Sequence, residues 1–388
     1  MKNYIMPKKR TIEEINEKIR SGKAVVLTAE QVSAMGRESS PAEVMSRVDV
    51  VTTGTFGPMC SSGMFINFGH TSPPMRMERI TLNNVPAYAG IAAVDAYLGA
   101  TETALPHDEY GGAHVIEELI AGKEVLLQAT AKGTDCYPRT EVKTYISRES
   151  VNEMIMFNPR NAYQNYNVAV NSTAKIRHTY MGTLLPAFGN ANFSTSGELS
   201  PLLNDPEMRT IGVGTRIFFG GTTGYVAWHG TQFNTGKPAN KYGVPVGNSA
   251  TLALIGNAAE MSTQFIRAAY FEKYGVSMFV GVGIPIPVLD EDMARRVMIR
   301  NSQIETNIMD YGSPDHDILG RIDYKSLFSG EITLNGRKIR TAPLSSVKVA
   351  REIAGKLREE IVAGRFLLTE PVEHFKKTSG LNSLEIKL

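Results

Sequence analysis

Two cysteines, Cys60 and Cys136, are the only thiols among the 388 residues of the chain. Cys60 lies in GPMCSSGM, where consecutive backbone amides of a Gly-Ser turn can form a nest that stabilises a thiolate or an oxyanion. His70 and Arg76 follow in INFGHTSPPMRM, close enough along the chain to fold back toward this thiol. A nucleophilic cysteine is one interpretation of this segment, and an unreactive cysteine in a loop is the other.

Charged residues surround the second cysteine in GTDCYPRTEVKTY. Arg139 favours the thiolate form of Cys136, whereas Asp135 opposes it or shuttles a proton. Both cysteines follow strand-like segments, at 48–56 and 124–133, and ligands of open α/β sheets bind in the loops beyond strand ends. Two such thiols indicate nucleophilic or redox chemistry more strongly than either does alone, although the fold decides whether they meet.

The segment FNPRNAYQNYNVAVN is dense in side chains that form directional hydrogen bonds. Arg160 has a guanidinium that can clamp a carboxylate bidentately, and Asn158 and Asn161 stand beside it. For the asparagines, the alternative is a turn that satisfies its own backbone. Arg216 is a further candidate in GVGTRIFFGG, a segment that matches neither the Walker A pattern nor the G-x-G-x-x-G fingerprint.

The elements that would position these residues alternate between helix and strand in the first third of the chain. TIEE at 11–14 and TAEQ at 28–31 are capping-box patterns, which predict two helix starts. Strand patterns dominate 156–232, a helix is predicted around 250–272, and a last helix is predicted to be capped by Ser345 and stopped by Gly364. We expect an α/β fold, with α+β as the alternative, comprising a mixed sheet, a strand-rich middle and a C-terminal helix.

Length and composition indicate one catalytic domain over 1–375 and a flexible tail over 376–388, since no linker, repeat or low-complexity segment divides the chain. A net charge of +2 favours neither a nucleic-acid nor a membrane partner. The N-terminus lacks a signal peptide and no apolar run could span a bilayer, so a cytoplasmic protein with reduced thiols is expected. The histidines show no metal-ligand spacing, so no metal site is expected. The sequence does not decide whether the protein forms a homo-oligomer.

Six long motifs occur in a defined order between about residue 10 and residue 374. They are GPMCSSGMFINFGHTSPPMRM, GTDCYPRTEVKTY, FNPRNAYQNYNVAVN, TSGELSPLLNDP, GTRIFFGGTTGYVAWHGTQ and VGVGIPIPVLDEDM. Together they resemble the homocysteine biosynthesis enzyme family, the L-aspartate semialdehyde sulfurtransferases of anaerobic microbes. The resemblance implies incorporation of sulfide into aspartate semialdehyde, with no cofactor bound in this chain and an iron–sulfur protein as partner. Many members carry C-terminal CBS modules or a fused ferredoxin-like segment; this sequence has neither, so a separate low-potential electron donor is expected.

The chemistry of this reaction agrees with the expected need for an electron donor. Converting an aldehyde to a CH2–SH group takes addition of sulfide, loss of water and two electrons, and a dithiol can supply two electrons. The hypothesis is that one cysteine carries sulfur as a persulfide whose terminal sulfur attacks the aldehyde carbon. The other cysteine then attacks the mixed disulfide, which leaves a Cys60–Cys136 disulfide for the iron–sulfur partner to reset. The neighbouring Arg139 favours Cys136 as the carrier.

For the substrate, the resemblance and the residues give Arg160 and Arg216 as candidates for binding the carboxylate, and His70 for proton transfer at the carbonyl oxygen. Three more candidates complete the predicted substrate-binding set: Arg76, Asn158 and Asn161. Two other functions stay open. One is a thiol-dependent sulfur or acyl transferase acting on another aldehyde or acid, and the other is a non-catalytic scaffold that carries sulfur to an iron–sulfur partner.

Overall fold

The computed structural model describes residues 9–378 and 380–386, so residues 379, 387 and 388 of the predicted tail lie outside the described residues. This part of the chain forms eight α-helices: α1 (Ile12–Arg20), α2 (Ala29–Met35), α3 (Pro41–Arg47), α4 (Gly112–Ile120), α5 (Pro201–Asn204), α6 (Glu291–Val297), α7 (Tyr324–Phe328) and α8 (Val347–Val362). It also forms three short 3-10 helices at Gly197–Leu199, Ala258–Glu260 and Asn301–Gln303.

The same residues form 24 strands. They are β1 (Val26–Thr28), β2 (Val50–Thr52), β3 (Thr55–Pro58), β4 (Gly63–Asn67), β5 (Arg79–Leu82), β6 (Val85–Ala87), β7 (Asp95–Gly99), β8 (Val125–Thr130), β9 (Glu141–Ile146), β10 (Glu153–Asn161), β11 (Val168–Val170), β12 (Arg177–Thr179), β13 (Gly182–Leu184), β14 (Asn190–Phe193), β15 (Arg216–Phe219), β16 (Thr222–His229), β17 (Leu252–Asn257), β18 (Ile266–Phe271), β19 (Gly275–Gly283), β20 (Pro285–Pro287), β21 (Glu305–Asp310), β22 (Ile318–Asp323), β23 (Glu331–Leu334) and β24 (Arg337–Pro343).

The largest sheet has nine strands in the order β18-β19-β15-β16-β17-β10-β4-β7, with β3 paired to β19 off this path. Its neighbouring strands are antiparallel throughout. Helix α4 packs on one face of this sheet through β18, and α8 packs on β19 and β3. Most of the apolar core lies between this sheet and its helices.

A second sheet is mixed and has six strands in the order β22-β21-β11-β14-β24-β23. The β11–β21 and β14–β24 pairs are parallel and the others are antiparallel. It has its own apolar cluster, centred on Phe193 and Tyr324. Smaller sheets are β1-β2-β20, β6-β5-β8-β9 and the ribbon β12-β13. The prediction of an α/β fold with a mixed sheet and a strand-rich middle is confirmed.

Local sequence signals account for several helix ends. Thr11 and Thr28 each form the predicted capping box, with Glu14 and Gln31 as the reciprocal partners. In α8 the buried positions are spaced three or four apart, as the 3.6-residue period requires: Ala350, Ile353, Ala354, Leu357 and Ile361. Gly364 follows the helix with φ of +73°, as a C-terminal stop requires. The N-cap is Ser346, one residue later than predicted.

The prediction of a helix over 250–272 is wrong. That segment contains β17, a 3-10 turn and β18. The backbone of β17 pairs with β10 on one side and with β16 on the other, so its hydrogen bonds are made across strands. These distant partners override the local helical pattern. No described helix is long and apolar enough to cross a membrane.

Candidate active site

A cavity of about 320 Å³ opens where the nine-stranded sheet meets the six-stranded sheet. The ends of β3, β10 and β16 and the β18–β19 turn supply one wall, and the residues after β14 and β24 supply the other. The tip of the β12–β13 ribbon, Tyr180 and Met181, closes one side. Several loops from distant parts of the chain therefore converge on one volume, which is within the range that small-molecule sites occupy.

Cys60 is a free, partly buried thiol on the wall of this cavity. It follows β3, as predicted, in the turn that leads into β4. Its Sγ lies 3.2 Å from the Oγ of the buried Ser277, in β19, and 3.8 Å from the hydroxyl of Tyr274, which donates to it. Hydroxyl groups that donate to a sulfur favour the thiolate form, which is the nucleophile.

The turn that carries Cys60 is held by hydrogen bonds from its own serines and from Asn158. The Oγ of Ser62 donates to the carbonyl of Met59 at 2.7 Å, and Nδ2 of Asn158 donates to that Oγ at 2.7 Å. Ser61 Oγ donates to the carbonyl of Arg160 at 3.2 Å. Asn158 is fully buried, so it fixes the turn and does not face the cavity.

Arg160 shares the cavity with Cys60. Its Nε donates to Thr231 Oγ1 at 3.0 Å and its Nη1 donates to Gln232 Oε1 at 2.9 Å, which fixes the plane of the guanidinium. These acceptors are neutral, and Arg160 forms no ion pair with a described carboxylate. A positioned guanidinium whose charge is not neutralised can bind a carboxylate ligand.

Tyrosines form much of the remaining wall, and sequence reasoning did not identify them as site residues. Tyr163, Tyr166, Tyr180 and Tyr274 all line the cavity. Burial raises the pKa of Tyr163, while Arg160 counteracts part of this effect. Burial likewise raises the pKa of Tyr274, and the neighbouring Cys60 raises it further, so this hydroxyl stays protonated as a donor. The spacing of Tyr163 and Tyr166 was visible in the motif, but nothing local pointed to Tyr180 or Tyr274.

Cys136 lies elsewhere, on the exposed turn between β8 and β9. Thr134 and Tyr137 close that turn with reciprocal backbone hydrogen bonds of 2.9 and 3.1 Å. The guanidinium of Arg139 is directed to the backbone instead: its Nη2 and Nε donate to the carbonyls of Ser72 and Pro73 at 2.6 and 3.2 Å. The arginine thus ties the hairpin to the loop that follows β4.

His70 and Arg76 lie beside Tyr137, the residue that follows Cys136 in the β8–β9 hairpin. The ring of His70 stacks on Tyr137 with centroids 6.2 Å apart, and Arg76 and Tyr137 line a separate cavity of about 300 Å³. Cys60 precedes β4, whereas His70 and Arg76 follow it. A five-residue extended strand separates its two ends by about 13 Å. The structure therefore does not bring His70, Arg76, Cys136 or Arg139 to the cavity of Cys60.

The last two predicted residues also lie outside this cavity. Asn161 is fully buried at the end of β10, where its Oδ1 accepts from the backbone amide of Ala162. The guanidinium of Arg216 packs over the ring of Phe366, 4.6 Å from its centroid, and donates to Thr223 Oγ1 at 3.3 Å. Arg216 therefore attaches the segment after α8 to the nine-stranded sheet. Within the described residues, no group of three or more His, Cys, Asp or Glu side chains could hold a metal ion.

The mixed α/β fold and a polar cavity that holds a thiol are features of an enzyme that acts on a small molecule. Residues 24–368 match the family model described as homocysteine biosynthesis enzyme, sulfur-incorporation. The chain belongs to this family.

Two curated relatives support this assignment. The L-aspartate semialdehyde sulfurtransferase of Methanosarcina acetivorans is 46% identical over 97% of this chain and 74% of its own length. The protein of the same name from Methanocaldococcus jannaschii is 50% identical over 94% of this chain and 73% of its own length. No solved structure gave a significant match.

Proposed function

We propose that this enzyme incorporates sulfide sulfur into L-aspartate semialdehyde and so forms L-homocysteine. The observation that carries the proposal is that Cys60 and Arg160 line the same cavity. Cys60 is a nucleophilic side chain, and Arg160 is a cation that can bind the carboxylate of a substrate. The names of the two relatives supply the substrate and the reaction class. The family description, homocysteine biosynthesis with sulfur incorporation, supplies the product.

The substrate carries a carboxylate, an ammonium group and an aldehyde. Arg160 is the group that binds the carboxylate, because its guanidinium is held by neutral partners and keeps its charge for the ligand. Binding at Arg160 then directs the aldehyde end of the molecule along the wall toward Cys60. Holding the two reacting groups in one cavity is itself a large part of catalysis.

The overall reaction fixes the number of electrons. RCHO, HS⁻, two electrons and three protons give RCH2SH and water. In the persulfide route, the terminal sulfur of a cysteine persulfide adds to the aldehyde carbon and gives a mixed disulfide, cysteine–S–S–CH(OH)R. A second thiolate attacks the cysteine sulfur and releases HS–CH(OH)R, which loses water to give the thioaldehyde RCH=S. Two electrons and two protons then reduce the thioaldehyde to RCH2SH. Attack of HS⁻ on the protein disulfide restores the persulfide and the second thiolate, so one cycle consumes the two electrons of the overall reaction.

We assign the persulfide that meets the aldehyde to Cys60, since it lines the cavity with Arg160. Cys136 is the resolving thiol, and its exposure suits exchange with an external donor. The two thiols line different regions, so the β8–β9 hairpin or the loop after β4 must move before they form a disulfide. The two electrons that reduce the thioaldehyde come from a separate iron–sulfur protein.

The test is anaerobic incubation of the full chain with L-aspartate semialdehyde, sulfide and a low-potential reductant, with homocysteine measured by mass spectrometry. We expect product from the wild type, none from Cys60→Ser, and loss of repeated turnover in Cys136→Ser. Retained unfolding midpoints in both variants serve as the folding control. A fully active Cys60→Ser variant would contradict the assignment of the nucleophile.

Succinate semialdehyde is a matched control substrate, because it keeps the carboxylate and the aldehyde but lacks the ammonium group. Equal turnover of both aldehydes would favour a less specific thiol-dependent transferase. A persulfide on either cysteine without any aldehyde-dependent turnover would favour a sulfur-carrying scaffold. Either result would overturn the proposed specificity for L-aspartate semialdehyde.

A further inference from the structure

Three tyrosine hydroxyls form a hydrogen-bonded cluster beside the cavity of Cys60. Tyr166 donates its hydroxyl proton to the hydroxyl of Tyr180 at 3.1 Å, and the hydroxyls of Tyr180 and Tyr311 share a hydrogen bond of 2.7 Å. Tyr180 is therefore the central member. The rings meet edge to face, with centroids 6.3 and 5.8 Å from that of Tyr180, which fixes their orientation.

The ribbon that carries Tyr180 is itself anchored. Thr179 Oγ1 donates to the carbonyl of Gly182 at 2.9 Å and accepts from the amide of Met181 at 3.0 Å, which closes the turn. Nδ2 of Asn192, in the six-stranded sheet, donates to the carbonyl of Met181 at 2.7 Å. The hydroxyl of Tyr180 is thus held in a fixed position at the cavity wall.

A phenol oxygen can accept two hydrogen bonds and donate one. When Tyr166 and Tyr311 both donate to Tyr180, the proton of Tyr180 is free for a molecule in the cavity. Hydrogen bonds received by a phenolate oxygen also stabilise it after that proton has left. Burial, reinforced by Tyr180, raises the pKa of both Tyr166 and Tyr311, so these two keep their protons and act as donors.

Tyr180 is close to the reacting sulfur. Its ring centroid lies 6.2 Å from that of Tyr274, and the hydroxyl of Tyr274 donates to the Sγ of Cys60 at 3.8 Å. Addition of sulfur to the aldehyde carbon produces an oxyanion, which must gain a proton before its oxygen can leave as water. His70, the sequence-predicted proton donor, lines no part of this cavity.

We propose that Tyr180 donates the proton to the carbonyl oxygen of the aldehyde, and that Tyr166 and Tyr311 hold the resulting phenolate. In the step, the sulfur–carbon bond forms, the C=O π electrons move to oxygen, and the Tyr180 proton moves to that oxygen to give the hydroxyl of cysteine–S–S–CH(OH)R. The phenolate regains its proton from solvent, so no oxidant or reductant is consumed. This inference rests on the proposed function.

The test compares steady-state kinetics of Tyr180→Phe with the wild type. We expect kcat to fall by about 10² or more, the usual contribution of a positioned general acid, while KM changes less than threefold because Arg160 still binds the carboxylate. Tyr145→Phe, an exposed tyrosine of β9, is the matched control and should keep the wild-type kcat. Cys60 should be alkylated by iodoacetamide at the same rate in all three proteins, which shows an intact cavity.

Tyr311→Phe is the second variant, and it keeps the inference testable if Tyr180→Phe does not fold. It removes one donor to Tyr180, and we expect kcat to fall about tenfold or more, in line with the loss of a hydrogen bond to a charged group. A wild type that makes homocysteine together with a Tyr180→Phe or Tyr311→Phe variant of unchanged kcat would overturn the role of Tyr180 alone. A wild type that makes no homocysteine would overturn the proposed function as well.

Discussion

The Oγ of Ser277 lies 3.2 Å from the Sγ of Cys60, although 217 residues separate the two along the chain. Ser277 is fully buried in β19, so its hydroxyl does not exchange this partner for bulk water. Antiparallel pairing of β3 with β19 brings the two residues together. The contact gives the thiol a fixed, buried polar neighbour.

Replacing this serine tests whether the hydroxyl stabilises the thiolate. A hydrogen bond to a charged group contributes about 1.5 to 3 kcal/mol, so Ser277→Ala should slow alkylation of Cys60 at neutral pH about tenfold or more. The rate is measured with iodoacetamide and peptide mass spectrometry. The exposed Cys136 in the same sample is an internal control and should react at an unchanged rate. Equal rates for Cys60 in both proteins would show that Ser277 does not stabilise the thiolate.

Substitution of Arg160 tests the assignment of the carboxylate site. Arg160→Gln removes the charge from the cavity, and loss of a charge-assisted pair should raise KM for L-aspartate semialdehyde about tenfold to a hundredfold. Steady-state kinetics measure this change. Arg216→Gln is the matched control, because its guanidinium packs on Phe366 outside the cavity. We expect it to lower stability and leave KM unchanged, and the reverse pattern would assign the carboxylate to Arg216.

The ion pair between Arg209 and Asp290 should make stability depend on pH. The hydrogen bond from Arg209 holds the pKa of Asp290 below its ordinary value, so the folded state gains stability above the ordinary pKa near 4. That gain is lost as the pH falls through the lowered, folded-state pKa. Asp290→Asn keeps a good N-cap for α6 but loses the charge, and should cost about 1 kcal/mol at pH 7.

Urea unfolding at pH 7 and below pH 3 measures this dependence. We expect the difference between wild type and Asp290→Asn to shrink at the lower pH, where the wild-type carboxyl is protonated as well. Asp108→Asn, at an exposed turn, is the matched control and should behave like the wild type at both values. A difference that grows toward low pH would contradict the assigned sign.

Two glycines of the C-terminal helix region should respond in opposite directions to alanine. Gly364 has φ of +73°, and its added Cβ would meet only the carbonyl oxygen of Ile19 at 3.8 Å, so the cost of Gly364→Ala is conformational. We expect a loss of about 1 kcal/mol. Gly355 lies inside α8, and no atom beyond its chain neighbours and the backbone of its own helix is within 4 Å of its added Cβ. Gly355→Ala should therefore stabilise the protein by about 0.5 to 1 kcal/mol.

The urea midpoints of both glycine variants are compared under the same conditions. An increase for Gly355→Ala shows that alanine is tolerated in this helix, so a decrease for Gly364→Ala then reports the left-handed backbone. A stabilised Gly364→Ala variant would mean that the helix end does not need this conformation.

Local signals in the sequence were sufficient for features that depend on neighbouring residues. The capping boxes at Thr11 and Thr28 and the stop at Gly364 each involve hydrogen bonds or dihedral angles within one helical turn. The buried face of α8 follows from the helical period. The family could likewise be recognised from the sequence, because its long motifs occur in a defined order along the chain. Such features can be read from the sequence because their causes lie within a few residues.

Partners distant in the chain decided the rest. The segment 250–272 forms strands because β17 pairs with a strand on each side. Arg216 has a structural role because its guanidinium packs on the ring of Phe366. The separation of Cys136 from Cys60, the arrival of Tyr180 at the cavity and the contact of Ser277 with Cys60 depend on pairing between strands that are distant in the chain. Sequence alone determined which side chains can do chemistry, whereas tertiary packing decided which of them share a cavity, since proximity between distant residues arises only when sheets and loops assemble.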